Sequence, residues 1–221
     1  MPEPLTLMAF PGLGLGPEAW RPTLDHLGGS VRTLPGFGKP APRTENLSPA
    51  AVATRVVAEL EANDRKAVLL GHSASCQVAA WVAAAAPDRI AALVLVGPTT
   101  DPRAATWRRL VARWLATAVH ETPRQVPLLV RQYSRTTLPV MVRAMESVRH
   151  DDISEPLARA AVPTLVVRGR HDAICPADWA ERVAALGGAG SRAVTLPAGA
   201  HMVPLTHGRL VAAAVSDFLA G

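Results

Sequence analysis

At 221 residues with 49% hydrophobic side chains, the chain is long enough for one globular domain with a sizeable core. Its net charge of +5 rests almost wholly on arginine, since Lys39 and Lys66 are the only lysines, and no aromatic–basic interleaving or zinc-ligand spacing points to nucleic acid. No window approaches the roughly 18 uninterrupted apolar residues of a membrane span, no signal-peptide pattern is visible, and two cysteines make no disulfide framework, so a cytoplasmic protein with free thiols at Cys76 and Cys175 is expected.

Leu5 to Phe10 reads as a short buried strand. It enters Pro11-Gly12-Leu13-Gly14-Leu15-Gly16, and a helix opens at Pro17 with Trp20, Leu24 and Leu27 at helical spacing. A glycine-rich turn between strand and helix raises a dinucleotide-binding reading, but the register fails. With Gly12 first and Gly14 second, the third glycine falls on Pro17, and the second strand, Val31 to Leu34, ends without the acidic residue a ribose would want. No cofactor is therefore expected.

Pro35-Gly36-Phe37-Gly38 follows as a tight loop. Ser48 then caps a helix with Pro49 at its first position and Val52, Val56, Val57 and Leu60 along one face. The β-leaning run Ala67 to Leu70 meets Gly71-His72-Ser73-Ala74-Ser75, and an alanine-rich helical segment follows at once. Ile90 to Val96 is apolar enough for a strand covered on both faces. The order βαβαβαβ argues for a parallel sheet with right-handed crossovers.

From Gly97 the rhythm breaks. Trp107, Leu110, Val111, Trp114, Leu115 and Ala118 follow helical spacing, and Leu138, Met141, Val142 and Met145 make another stripe. With no strand-like run over some sixty residues, positions 98–160 read as an all-helical cap inserted after the fourth strand. The core would be 1–97 and 161–221. Trp107, Trp114, Met141 and Met145 are candidate pocket residues, with ordinary packing of cap on core as the plainer alternative. Nine arginines face only Glu121 and Glu146 between Arg103 and Arg149, which implies either solvated helix faces or a surface that steers anionic substrates.

Beyond it, Pro163 to Val167 is a strand ending in Arg168-Gly169-Arg170-His171-Asp172, and a helix opens at Pro176 with Trp179, Val183 and Leu186. Ala193 to Leu196 is a last strand before Pro197-Ala198-Gly199-Ala200-His201, and a final helix runs over Leu210 to Leu219. The expected fold is an open, mostly parallel six-stranded α/β sheet with helices on both faces.

Ser73, Asp172 and His201 each follow a predicted strand, and the carboxyl ends of parallel strands gather along one edge. A serine hydroxyl needs a base to act as nucleophile, and the base needs a carboxylate to hold its tautomer. The stretch Gly71-x-Ser73-x-Ser75 is one residue short of the nucleophile-elbow pattern, and the order Ser…Asp…His is the one found in α/β-hydrolases. Asp101, after the preceding strand, is a rival acid, and His207 a rival base.

With its Pro-Gly-Leu first loop, Pro35-Gly36-Phe37-Gly38, the elbow, the helical cap, Gly169-x-x-Asp172-x-x-x-Pro176 and Gly199-Ala200-His201, the chain resembles the α/β-hydrolase superfamily over nearly its whole length. The resemblance implies Ser73 as nucleophile, Asp172 as acid, His201 as base, and the backbone N–H groups of Leu13 and Ala74 as oxyanion donors. Pro11-Gly12 stands where the family often has His-Gly, Ser75 replaces the usual glycine, and the family's leading hairpin is expected to be missing. The implied activity is hydrolysis of a carboxylic ester or thioester of a small apolar acyl compound, with no metal or cofactor, by a monomer or homodimer. The same triad is compatible with carbon–carbon bond hydrolysis, acyl transfer or perhydrolysis, and a non-catalytic ligand-binding module is the alternative of another class.

Overall fold

The computed structural model describes residues 5–62 and 65–221. Six strands form one sheet: β1 (Thr6–Phe10), β2 (Ser30–Val31), β5 (Ala67–His72), β6 (Ile90–Val96), β7 (Thr164–Arg168) and β8 (Arg192–Thr195). Their order is β2-β1-β5-β6-β7-β8, and every pairing is parallel. The short segments β3 (Leu34–Pro35) and β4 (Gly38–Lys39) pair with each other, outside that sheet. The direction of winding reverses between β1 and β5. There the helices that follow the two strands, α1 (Arg21–Leu27) and α3 (Ser75–Ala85), pack on opposite faces of the sheet.

The expected strand Val31 to Leu34 is cut short, and the reason is local. Leu34 and Phe37 exchange N–H···O=C bonds of 2.8 Å in a tight turn, and Pro35 has no N–H to add to a ladder. Pairing with β1 therefore stops after Arg32 N–H reaches the Ala9 carbonyl at 2.8 Å. The helix expected at Pro17 divides likewise, into a 3-10 turn (Pro17–Ala19) and α1 (Arg21–Leu27).

Alternation along the central strands builds two cores. Leu69, Leu93, Leu95 and Val166 face one side, against α2 (Pro49–Glu61) and α3 (Ser75–Ala85). Val68, Leu70, Val94, Val96, Leu165 and Val167 face the other, where Trp20 and the last helix meet them, the helix through Val211, Val215 and Phe218. The Ser48 hydroxyl caps α2 by accepting from Ala51 N–H at 3.3 Å.

Between β6 and β7 the described chain is helical: α4 (Trp107–Ala118), α5 (Val126–Thr136), α6 (Leu138–Val148) and α7 (Ser154–Ala160). α7 lies against α3, with Ile153 and Leu157 buried in the same core. α4 differs, because its apolar stripe is uncovered: Val111 is 50%, Trp114 55% and Leu115 55% exposed. After β7 come α8 (Ala177–Ala185), then β8, α9 (Val203–Thr206) and the last helix, α10 (Gly208–Leu219). Among the described residues no helix is long and apolar enough to cross a membrane, and Cys76 and Cys175 are buried free thiols.

Candidate active site

The elbow after β5 depends on a close approach of strand and helix. A Cβ at Gly71 would stand 2.8 Å from the Cys76 Cα, so a side chain there would drive α3 off the strand. Ser73 takes φ = 57°, a left-handed conformation that costs a non-glycine residue about 1–3 kcal/mol. The turn is held by Ser73 N–H to the Val96 carbonyl (2.9 Å) and by Cys76 N–H to the Ser73 carbonyl (3.1 Å).

Ser75, where the pattern has glycine, carries part of this load. Its hydroxyl oxygen accepts from His72 N–H at 2.9 Å and lies 3.0 and 2.9 Å from the Phe10 and His72 carbonyls, to which its proton is donated. The departure from the motif thus ties the elbow to the end of β1.

The loops after β7 and β8 bring Asp172 and His201 together. His201 Nδ1 donates to Asp172 Oδ2 at 2.8 Å, and the two side chains are only 10% and 1% exposed. The other carboxylate oxygen, Oδ1, accepts from the N–H groups of Ile174 (2.9 Å) and Cys175 (3.0 Å). Arg168 braces the same loop by donating to the Cys175 and Asp172 carbonyls at 2.6 and 2.8 Å. Gly97, at φ = 57°, makes room: a Cβ there would sit 3.0 Å from Asp172 Oδ2 and His201 Cε1 alike.

Burial alone would raise the Asp172 carboxyl, but the adjacent His201 charge and hydrogen bond outweigh it and hold the group below the usual carboxylate range. Burial would lower His201, yet attraction to Asp172 and their hydrogen bond raise it above an ordinary imidazole, with Glu121 adding to the effect. A carboxylate on Nδ1 places the proton there and leaves Nε2 a bare lone pair. That Nε2 is buried and has no hydrogen-bond partner among the described residues.

His72, whose ring centroid is 5.0 Å from that of His201, is pushed down to about 3 by burial and by repulsion from His201. It is neutral and donates from Nε2 to the His201 carbonyl at 3.0 Å. The rival acid, Asp101, is bonded elsewhere. It caps a 3-10 turn and takes Arg103 and Arg113 at 2.8 Å each. His207 Nδ1 meets the Thr206 hydroxyl at 2.9 Å.

On the facing side, the loop after β1 comes against the elbow: a Cβ at Gly12 would lie 3.3 Å from the Ser73 Cβ and 2.8 Å from His72 Nδ1. This loop is braced by Gly14 N–H to the Gly36 carbonyl at 2.9 Å, which explains the tight turn at Pro35–Gly38. The N–H groups of Leu13 and Ala74 meet no acceptor among the described residues.

Of the four candidate pocket residues, Met141 touches this loop, since a Cβ at Gly14 would stand 2.6 Å from its terminal methyl. Met145 packs partly buried on the first core. The tryptophans are turned outward. Trp114 is more than half exposed, and Trp107 donates to Glu146 at 2.9 Å and lines a surface cavity of about 420 Å³ with Leu47 and Arg143. Neither that cavity nor a second of about 780 Å³ beside α6 is lined by Ser73, Asp172 or His201.

Sequence reasoning missed two residues that reach this region from the helical segment. Thr117 meets the loop after Asp172, and Glu121 meets the backbone of His201. No local signal marks either one.

The chain is 26% identical to the pimeloyl-[acyl-carrier protein] methyl ester esterase of Edwardsiella ictaluri, over 97% of this chain and 93% of that relative. A hydrolase from Pseudomonas aeruginosa PA01 superposes with a TM-score of 0.74 at 27% identity, covering 100% of this chain and 92% of that one. A hydrolase from Oleispira antarctica has the same fold at a TM-score of 0.82 and 17% identity, over 99% and 92% of the two chains. The alpha/beta hydrolase family pattern matches residues 7–214, and with it the parallel sheet, the elbow and the order of the loops agree: the chain belongs to the alpha/beta hydrolase family and is a hydrolase.

Proposed function

We propose that the protein is a serine esterase in which Ser73, His201 and Asp172 form the catalytic triad. The observation that carries this reading is the buried His201–Asp172 pair whose Nε2 has no hydrogen-bond partner among the described residues, at the sheet edge where the elbow raises Ser73. Ser73 Oγ attacks the ester carbonyl while His201 Nε2 takes its proton. The N–H groups of Leu13 and Ala74 receive the developing oxyanion. His201 then gives the proton to the departing alcohol or thiol, and the acyl group remains on Ser73. Water attacks the acyl carbonyl as the same Nε2 takes its proton, and that proton then passes to Ser73 Oγ as the acid leaves.

Asp172 holds the imidazole in the productive tautomer and stabilises its charge; it does not itself take the proton. The preferred substrate is an ester or thioester of a small, fairly apolar acyl compound. The relatives named as methyl ester esterases of an acyl-carrier-protein-bound acid support ester cleavage. Residues 98–160 serve as the cap, a role supported by the contacts that Met141, Thr117 and Glu121 make with the loops around the site.

A fluorophosphonate probe tests the reading. It should label the protein at neutral pH, with the adduct on Ser73 by mass spectrometry, and Ser73→Ala should abolish both labelling and hydrolysis of p-nitrophenyl esters. A protein that stays unlabelled, or a Ser73→Ala variant that keeps its activity, would overturn it.

A further inference from the structure

The C-terminal end of α4 and the turn after it clasp both loops that carry the proposed acid and base. The Thr117 hydroxyl accepts from Ala173 N–H at 3.0 Å, one residue past Asp172. The His120 ring stacks on His171, with centroids 4.5 Å apart and planes 16° apart. Glu121 goes furthest. Its Oε1 accepts from the N–H groups of His201 and Met202, each at 2.8 Å, and Gln125 holds its Oε2 at 3.0 Å. On the opposite side His72 donates to the His201 carbonyl. The backbone of His201 is therefore gripped at its N–H from the helical segment and at its C=O from the elbow.

We propose that Glu121 is a positioning residue for the His201 base, fixing its backbone so that the ring stays bonded to Asp172 with Nε2 free to take a proton, and stabilising the imidazolium formed during turnover. The inference rests on the triad reading above. A cap for the short helix α9 would accept from an N–H of its first turn, whereas Glu121 accepts from His201 and Met202 ahead of it. Glu121 also bonds the residue that moves the proton, and it does so with a full charge. Misplacing a reacting group by about 1 Å can cost on the order of 10²-fold in rate, so an acceptor that holds the base's own main chain bears on chemistry as well as on stability.

Among the described residues, ionisable groups bear on His201 from several elements. Asp172 bonds Nδ1 from the loop after β7, and Arg168 acts from β7 through that same loop. His72 lies on the elbow, and Glu121 reaches in from the helical segment. Asp172 and Glu121 both favour the protonated ring, whereas His72 is neutral near pH 7. Replacing Glu121 by glutamine thus changes the field at His201 while keeping an acceptor for its backbone N–H.

The test compares Glu121→Gln and Glu121→Ala with the wild-type chain. Three quantities are read: kcat and KM for p-nitrophenyl butyrate, the pH profile of kcat/KM, and the fluorophosphonate labelling rate at Ser73 across the same pH range. Glu121→Gln keeps an acceptor and loses the charge, so the acid limb of both profiles should move to lower pH. Glu121→Ala loses both, so kcat should fall by about 10- to 100-fold with KM little changed, and labelling should slow in parallel. If both variants keep the wild-type limb and the wild-type kcat per labelled serine, whatever their melting temperatures, Glu121 is a structural brace and the inference is wrong. Should Glu121→Ala fail to fold, the acid limb of Glu121→Gln decides alone. If the wild type itself is not labelled at Ser73, the triad reading fails and takes this one with it.

Discussion

Replacing Asp172 by asparagine is the sharpest probe of the proposed acid–base pair, because the structure separates its effect on fold from its effect on chemistry. In the Asp172→Asn variant the amide oxygen can keep the two bonds that Oδ1 accepts from Ile174 and Cys175 N–H, so the loop survives. The amide nitrogen then faces His201 Nδ1 across the 2.8 Å now closed by a carboxylate. It donates where the carboxylate accepted, so Nδ1 must give up its proton and Nε2 must carry it. A protonated, neutral Nε2 cannot take the Ser73 proton. Loss of the carboxylate also leaves the imidazolium uncompensated.

In a triad the wrong tautomer costs about 10⁴ in kcat, which at about 1.36 kcal/mol per decade corresponds to roughly 5.4 kcal/mol of transition-state stabilisation. The assay is kcat for p-nitrophenyl butyrate, with circular dichroism and thermal melting to show that the fold persists. An Asp172→Asn variant within about ten-fold of wild type would refute the reasoning. It would do so decisively if Asp101→Asn, which removes the carboxylate bound by Arg103 and Arg113, were the variant that lost activity.

Four further outcomes follow from the same geometry. Ser75→Ala should destabilise the protein by about 1–3 kcal/mol in urea unfolding, since it orphans the buried His72 N–H; a melting curve identical to wild type would show that the hydroxyl carries no such load. The raised His201 base puts the acid limb of kcat/KM above the ordinary imidazole value of about 6.5, and a limb below it would contradict the burial and charge pattern at the site. For stability the signs oppose: the lowered Asp172 contributes above its unfolded value and loses that contribution as pH falls, and the raised His201 contributes below its unfolded value and loses it as pH rises. The melting-temperature gap between wild type and Asp172→Asn should therefore be widest between about pH 4 and 6.5. Finally, among the described residues five of the nine arginines between Arg103 and Arg149 are seen ion-paired: Arg103 and Arg113 with Asp101, Arg131 and Arg135 with Glu18, Arg149 with Glu146. Matched salt titrations of one anionic and one neutral ester should give similar slopes, and a much steeper fall for the anionic ester would restore electrostatic steering.

What the sequence determined by itself were the features written in local pattern. The apolar runs at Ala67–Leu70 and Ile90–Val96, and the small residues around Ser73, specify strand, sharp turn and helix within a few residues of one another. The alternation of βα units then leaves few arrangements besides a parallel sheet. Even the choice of Asp172, His201 and Ser73 as candidates follows, because each stands just past a strand and all strands end on the same edge.

The tertiary structure decided everything that turns on which distant group comes near. Asp101 and Asp172 look alike as sequence, each a short step past an apolar strand; only folding gives one to His201 and the other to two arginines. The helical periodicity of α4 announces an apolar face but not what covers it, and Trp114 ends in solvent. Glu121 is an isolated acid among arginines, with no motif around it. Its link to His201 spans 80 residues of chain, and such a contact exists only once the helical segment has docked on the sheet.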